Sequence, residues 1–514
     1  MKRTNWLTIV IAMVVSLGGF LFGFDAAVIS GVIKYIKPEF ALSDLQLGWV
    51  VGAPTFSAMF AMLIAGTLSD YIGRKRVLLV VAFLYLISAI WSAYAGGYVD
   101  LVVARMLGGV AFGAALVLAP VYIAEIAPAE HRGRLVSIQQ LNIVLGFSAA
   151  YFSNYWLQGG LTDSSWLTET NIWRWMFGME GFPAVIYFGA LFFVPESPRW
   201  LFTQGKKERA LSILERLNGK EQALAETAAI EENIKSSQTN SKTRLASLFH
   251  KSFSYILVVA VLLGVLQQIT GVNAIYFYAT TIFEQSGVGT NAAFAQAVWV
   301  GIINVVFTLV AMALIDRMGR KPLLLIGLAG IAISMCLTAY GFSQATYTLN
   351  KEAVEKIEGV NSDDFLPILS TTYDNDVAFK NALKTNVSEE VLLKHEGSLL
   401  EAAIQMNPII VLIGILGFVA SFAISLGPVM WVMLSEMFPN RIRGLAISAI
   451  GFINSFTSWV VQLFFPWELA NLGNAVTYLI YAIFAIIGLF LMWRLLPETK
   501  GKSLEELEKE LIRS

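Results

Sequence analysis

Residues 66–76 read Gly66-Thr67-Leu68-Ser69-Asp70-Tyr71-Ile72-Gly73-Arg74-Lys75-Arg76, and residues 316–321 read Asp316-Arg317-Met318-Gly319-Arg320-Lys321. Each places an Asp three residues before a Gly that is followed by Arg-Lys, and each closes a long apolar run. Two further signatures recur in the same order. Glu125 is followed seven residues on by Arg132-Gly133, and Glu436 seven residues on by Arg443-Gly444. Pro195-Glu196-Ser197-Pro198-Arg199 is echoed by Pro497-Glu498-Thr499-Lys500-Gly501. One echo would be noise. Three in one order divide the chain into two homologous halves, the mark of a repeated membrane architecture.

The apolar runs between these signatures fix the class. Of 514 residues, 56% are hydrophobic and 14% charged, with mean hydropathy +0.64. A soluble chain carries about 25% charged residues to clothe its surface. At about 20 residues per crossing, spans fall near 7–33, 47–69, 77–98, 101–125, 135–157, 175–194, 253–284, 294–315, 322–343, 407–435, 444–467 and 472–493. The first run is not a cleaved signal: it extends to Ile33 and holds Asp25 where a small-residue cleavage site would stand. A net charge of -1 gives no electrostatic case for nucleic acid, and the single cysteine, Cys336, excludes an internal disulfide.

Every even-numbered span exits into basic residues, among them Arg74, Arg132, Arg199, Arg320 and Arg443. The positive-inside rule predicts that these loops and both termini are cytoplasmic. The expected organisation is a six-helix bundle over 1–194, a cytoplasmic linker over 195–250, a second bundle over 251–500 and a tail over 501–514. The linker mixes Leu211, Ile213 and Leu214 with charges, as short amphipathic helices do. Residues 344–406 interrupt the second half on the outer side, with five Lys against eleven Asp and Glu. An acidic, solvated cap or mobile loop is the plainer reading of this stretch; a solute-capturing domain is the other. Asn386-Val387-Ser388 fits a glycosylation sequon, a motif frequent by chance.

The repeated signatures have a common chemistry. Helix C-termini expose carbonyls that cations stabilise. Asp70, Glu125 and Glu196 can pair there with Arg74, Arg132, Arg134 or Arg199, and the second half repeats the set with Asp316, Glu436, Glu498, Arg320 and Arg443. Two readings stand: ordinary topology anchors, or a gate of ion pairs that locks the halves together when the protein opens outward. Acids beside the bases favour the gate, since orientation requires only the bases.

Together, the 66–76 loop, its echo at 316–322, Pro195-Glu196-Ser197-Pro198-Arg199-Trp200 and Pro497-Glu498-Thr499-Lys500-Gly501 resemble the sugar porter family of the major facilitator superfamily. The resemblance spans nearly the whole chain except 344–406, and its motifs are most like those of bacterial proton-coupled xylose and glucose symporters. It implies an all-α membrane fold of twelve helices in two pseudo-symmetric bundles, a central solute site and alternating access. The expected location is the cell membrane, in a bacterium the inner one. The expected partners are a sugar, protons and the bilayer, with no nucleic acid, no obligate protein partner, no cofactor and no metal.

A sugar offers many hydroxyls and no charge, so amides and an aromatic face suit it. The seventh span supplies Gln267, Gln268 and Asn273, which a helix break near Gly271 would bring together. Amides in a membrane otherwise serve as glue between helices. The resemblance places solute-binding positions on Gln140, Gln267, Gln268, Asn273, Asn304, Trp431 and Asn454. One departure stands out: family members often carry adjacent tyrosines after the segment-seven Asn, and here the pair is Phe277-Tyr278. Asp25 lies deep in the first span and Arg105 near the start of the fourth. Intramembrane charges are functional by default, although a permanent structural pair is the alternative. The resemblance matches Asp25 to the Asp of proton-coupled members, where passive facilitators usually carry Asn, Arg105 to its partner, and Glu180 to a nearby membrane acid. The expected function is therefore proton-coupled symport of a monosaccharide. A passive facilitator, a transporter-like sensor and, least supported, an enzyme are the alternatives; His131, His250 and His395 all fall in expected loops.

Overall fold

The computed structural model describes residues 6–128, 131–161, 166–220, 223–224, 227–228, 230, 253–357 and 360–500. The remainder of the 195–250 linker and the 501–514 tail lie outside the described residues. Twelve membrane-length elements follow one another: Trp6–Glu39, Asp44–Ile72, Arg74–Ala93, Tyr98–Ile126, Arg132–Gly160, Ile172–Leu191, then Ser254–Ile269 with Val272–Phe277 and Ala279–Glu284 as the broken seventh, Thr290–Met318, Arg320–Ser343, Pro408–Ile424 with Leu426–Met437 as the broken tenth, Asn440–Asn471 and Asn474–Leu495. Eleven are long and apolar enough to span by composition; the exception among the described residues is Ile172–Leu191, which carries Arg174 and Glu180. Helices of 29 to 34 residues reach about 44–51 Å, well beyond an apolar core of about 30 Å. Their ends therefore project, and that is where the charges sit.

The spans pack in two matching sets. In the first, 1 packs on 5, 2 on 4, and 3 on 4 and 6; in the second, 7 packs on 11, 8 on 10, and 9 on 10 and 12. The sets meet through 2 on 11, 5 on 8, and 1 on the short helices of 7, contacts that the same pseudo-twofold relates. This is the major facilitator fold. Close approach within a bundle depends on small residues. A Cβ on Gly23 would run into the backbone of Ile143, and one on Gly146 into the backbone of Phe20, so spans 1 and 5 touch main chain to main chain.

The apolar core is divided unevenly. One buried cluster fuses the second bundle with Val28, Val50, Leu101, Phe147 and Trp173, all from the end of the first bundle far from its basic loops. The basic half of the first bundle has a separate core around Ala12, Leu78, Leu118 and Tyr187. The two bundles thus share an apolar core toward the far end, while the basic half of the first bundle packs on a core of its own.

Between spans 6 and 7, helices Pro198–Thr203 and Lys207–Asn218 bury Trp200, Leu201, Phe202, Ala210 and Leu214 in one cluster. Ser197 caps the first of them, with Pro198 at its first turn. Of the expectations for 344–406, the structureless loop is not what is found, since the stretch folds on a core of its own. Strand β1 (Thr346–Thr348) pairs antiparallel with β2 (Thr372–Tyr373) and β3 (Ile404–Gln405), and helices Asp376–Asn386 and Glu389–Ala403 cover them. Tyr347, Phe365, Phe379, Leu383 and Leu399 form a core of their own. The acidic residues of this small domain lie mainly on the outside, and most of its sparse large apolar residues converge, Leu366 being exposed.

Candidate functional site

The seventh span breaks at Gly271, whose φ of 92° sets the left-handed turn after Ile269. The tenth breaks at Ser425, before Gly427-Pro428. Both breaks free backbone groups that need partners inside a membrane. Gln267 meets one need by donating to the Leu426 carbonyl at 3.0 Å. Around it the amides interlock. Asn454 donates to Gln267 Oε1 at 2.8 Å and to the Gly264 carbonyl at 2.8 Å. Gln268 donates to Asn454 Oδ1 at 3.2 Å, and Asn273 donates to Gln268 Oε1 at 2.9 Å and to Ser458 Oγ at 2.5 Å. Gln462 extends the chain to Ser458 at 2.7 Å, and Thr55 of span 2 donates to Gln462 Oε1 at 3.1 Å. The network therefore begins in the second bundle and ends on the first.

Of the expected solute positions, the structure brings together Gln267, Gln268, Asn273 and Asn454. Asn304 is buried one turn along span 8 from Gly301, which packs against Ser148 of span 5. Trp431 is half exposed, with its ring beside Gly451 of span 11. Gln140 is exposed while its neighbour Gln139 is buried. Neither Gln140, Asn304 nor Trp431 hydrogen-bonds into the amide cluster. Asn142 binds Ser16 Oγ at 2.5 Å and Trp459 packs against Trp49 and Phe56, both on span 2. Ser458 and Thr55 were not singled out in the sequence: single hydroxyls in apolar spans are too common to mark a site. Phe277 is buried, and Tyr278 donates to the Gln462 carbonyl at 3.1 Å.

A second polar centre lies wholly in the first bundle. Arg105 is 1% exposed, donates to Asp25 Oδ1 at 3.1 Å and to the Val50 carbonyl at 3.1 Å, and lies over the Phe177 ring at 5.4 Å. Glu180 is buried within electrostatic reach of both Asp25 and Arg105. Two carboxylates and one guanidinium in an apolar interior cannot all be charged without a net negative charge, which such an interior penalises heavily. The centre is therefore suited to hold a proton.

At the basic ends the echoes become a repeated structure. Arg74 donates two parallel bonds to Glu125, each 3.2 Å, and reaches Asp70 at 2.6 Å and the Ser69 carbonyl at 3.1 Å. Arg320 donates to Glu436 at 2.9 Å, reaches Asp316 at 3.2 Å and the Ile315 carbonyl at 3.3 Å. Glu196 accepts from Lys75 N at 3.0 Å, and Glu498 from Lys321 N at 3.1 Å. Ser197 bonds Glu125 as Thr499 bonds Glu436. Gly73 and Gly319 take φ of 105° and 95° beneath the Glu196 and Glu498 carboxylates. Arg132 is exposed and bonds no carboxylate among the described residues; Arg443 donates to its own Phe438 carbonyl at 3.1 Å rather than to Glu436. Each pair described here lies within one bundle, so in this state none of them ties bundle to bundle.

Among the described residues, the crossing bonds lie near the opposite end or the middle. Lys34 pairs with Glu284 at 3.1 Å, Ser30 with Thr280 at 2.8 Å, Gln158 with Asn291 at 3.2 Å, and Tyr151 donates to the Tyr276 carbonyl at 2.5 Å. The family described as "Sugar (and other) transporter" matches residues 11–360 and 391–511. The chain belongs to that family. It is 36% identical to the arabinose-proton symporter of Bacillus subtilis, over 98% of this chain and 95% of the relative. It is 34% identical to the D-xylose-proton symporter of Escherichia coli K12, over 97% and 94%. The partially occluded inward-open structure of the Escherichia coli xylose transporter overlays with a TM-score of 0.75 at 30% identity, covering 97% of this chain and all of that one. The same transporter bound to 6-bromo-6-deoxy-D-glucose overlays at 0.71, with 32% identity and 99% of this chain covered. This member of the sugar transporter family is a multi-pass membrane carrier and not an enzyme.

Proposed function

We propose that the chain is a proton-coupled monosaccharide symporter working by alternating access, with pentoses and hexoses as its substrate class. The observation that carries this reading is the separation of two polar centres: Asp25, Arg105 and Glu180 in one bundle, and the amide network of the other bundle reaching Thr55 across the interface. Amides serve a sugar because each donates and accepts at once. Gln267, Gln268, Asn273 and Asn454 form the floor of the site; Gln140, Asn304 and Trp431 join it from the surrounding spans when sugar is bound. Phe277 offers a ring without a hydroxyl, which biases selectivity toward hydroxyls met by the amides.

Asp25 is the coupling group. Protonation cancels its charge and loosens its hold on Arg105, and re-forming the pair expels the proton. Glu180 shares the same electrostatic environment. We assign the basic ends and both termini to the cytoplasm on the positive-inside rule. Bundles that share a core toward the far end and have separate cores toward the basic end then describe an inward-facing state, in keeping with the better overlay on an inward-open relative. The moving units are 1–194 and 251–500. The repeated Arg74 and Arg320 clusters stiffen each bundle's cytoplasmic end, and when the ends close they present Asp70, Glu196, Arg132, Asp316, Glu498 and Arg443 to one another as the gate. In a bacterium the protein sits in the inner membrane.

Purified protein in proteoliposomes, supplied with labelled pentoses and hexoses with and without an imposed proton gradient, tests the reading. A gradient-driven accumulation of at least one monosaccharide is expected, with alkalinisation outside on sugar addition. Equilibration without accumulation would make the protein a passive facilitator, and binding without flux a sensor.

A further inference from the structure

The small domain at 344–406 touches both bundles through charges that no step above uses. On one side it is fastened to the turn between spans 11 and 12. The Asp376 carboxylate is buried and accepts from the Asn474 backbone N–H at 3.2 Å and its side-chain amide at 3.0 Å. Lys380, also buried, pairs with Asp376 at 3.4 Å and donates to the Leu469 carbonyl at 3.1 Å. A buried charge network of this kind holds only in one geometry, because every member needs its partners. The domain therefore rides on the second bundle.

Its other side meets the first bundle. Glu396 accepts from Lys37 of span 1 at 3.2 Å, and Lys37 also reaches Asp44 of its own bundle at 3.3 Å. Burial pushes the Glu396 carboxyl up, but Lys37, with Lys380 and Lys384 nearby, outweighs it and holds it below the usual glutamate value. Beside this pair, Glu401 faces Lys34 and Glu284. Residues 361–390, which include Asp376 and Lys380, fall outside the stretches matched by the family. The fastening to the second bundle is thus an addition to the family's common core.

We propose that Lys37 and Glu396 are positioning residues of the transport cycle: the domain, fixed to the second bundle, clasps the first bundle at the far end and must release it each time that end opens. The clasp adds to the direct crossing bonds at Lys34 and Ser30 and favours the closed far end. This rests on the reading of the chain as an alternating-access carrier.

The test uses the full chain with Cys336→Ser, Lys37→Cys and Glu396→Cys in proteoliposomes, joined by a reducible bis-methanethiosulfonate linker. Sugar counterflow is expected to fall at least about tenfold on linking and to return with reductant, as for a motion whose blockade is reversible. Linked protein that exchanges sugar at the unlinked rate overturns the clasp. Absence of counterflow before linking, in the otherwise unaltered chain, would instead count against the transport reading. A second readout needs no cross-link. With Ser30→Cys as a reporter beneath the seam, Glu396→Gln should speed labelling by an impermeant thiol reagent about two- to fivefold, as loss of one partly exposed pair allows. Asp44→Asn, which leaves Glu396 on Lys37, should not. Equal labelling with and without Glu396→Gln contradicts the proposal.

Discussion

At their basic ends the two bundles are built from the same parts, while in their middles they share almost nothing. Arg74, Glu125, Glu196 and Ser197 have counterparts in Arg320, Glu436, Glu498 and Thr499, with Arg74 making two bonds to its glutamate where Arg320 makes one. Yet the first bundle buries a charged pair and the second buries amides. In the cycle proposed above, symmetry is kept where both halves perform the same movement against each other and abandoned where one half binds a proton and the other a neutral sugar. The same comparison separates the chain's ends: the two bundles share a core at the far end and have separate cores toward the basic one.

The interior difference should give the largest effects. Gln267→Leu removes the donor to the Leu426 carbonyl and the acceptor of one Asn454 N–H, while the Gly264 carbonyl keeps the other, and sugar affinity should fall about a hundredfold, in line with orphaning buried polar groups. Asp25→Asn should leave affinity within about threefold. Sugar-binding calorimetry on both variants decides; equal losses would erase the division of labour. Next comes the shared end. Glu125 is 7% exposed and Glu436 22%, so Glu125→Ala should cost about 3 kcal/mol of stability and Glu436→Ala about 1–2 kcal/mol. Thermal unfolding that ranks them in reverse would contradict burial as the source of the difference between the two clusters. Gly73→Ala and Gly319→Ala should each cost about 1–2 kcal/mol, and equally, because both positions need positive φ.

The smallest expected effect concerns pH. Burial pushes the Glu498 carboxyl up, but the Lys500, Arg320, Lys321 and Thr499 backbone N–H groups outweigh it and hold it below the ordinary glutamate value. A carboxyl lowered by folding stabilises the fold above its unfolded value of about 4.3 and loses that contribution as pH falls through its folded value. Glu498→Gln should therefore flatten the acid side of the melting temperature against pH. An unchanged slope would remove Glu498 from the network.

Much of this was legible in the sequence because the signatures occupy fixed places at helix ends. The paired Asp-x-x-Gly-Arg-Lys loops named the halves before any contact was known. The Gly271 break is foreseeable from one glycine between amides, and the break at Ser425 has a local signal in Ser425-Leu426-Gly427-Pro428. Other features depend on facing. Gln139 and Gln140 are adjacent, and only packing shows which is buried. For 344–406 the sequence leaves cap, loop and domain open, because the core residues are spread among charges. Phe379 and Leu383, one helical turn apart behind the Asn375 cap, were the local clue.

In the proposed cycle, proton and sugar are handled in different bundles, and gradient-driven accumulation and counterflow measured side by side in proteoliposomes carrying Asp25→Asn or Gln267→Leu separate the two. Asp25→Asn should lose accumulation and keep counterflow, whereas Gln267→Leu should lose both at substrate levels that saturate the parent. Accumulation against a gradient by Asp25→Asn vesicles would contradict the account.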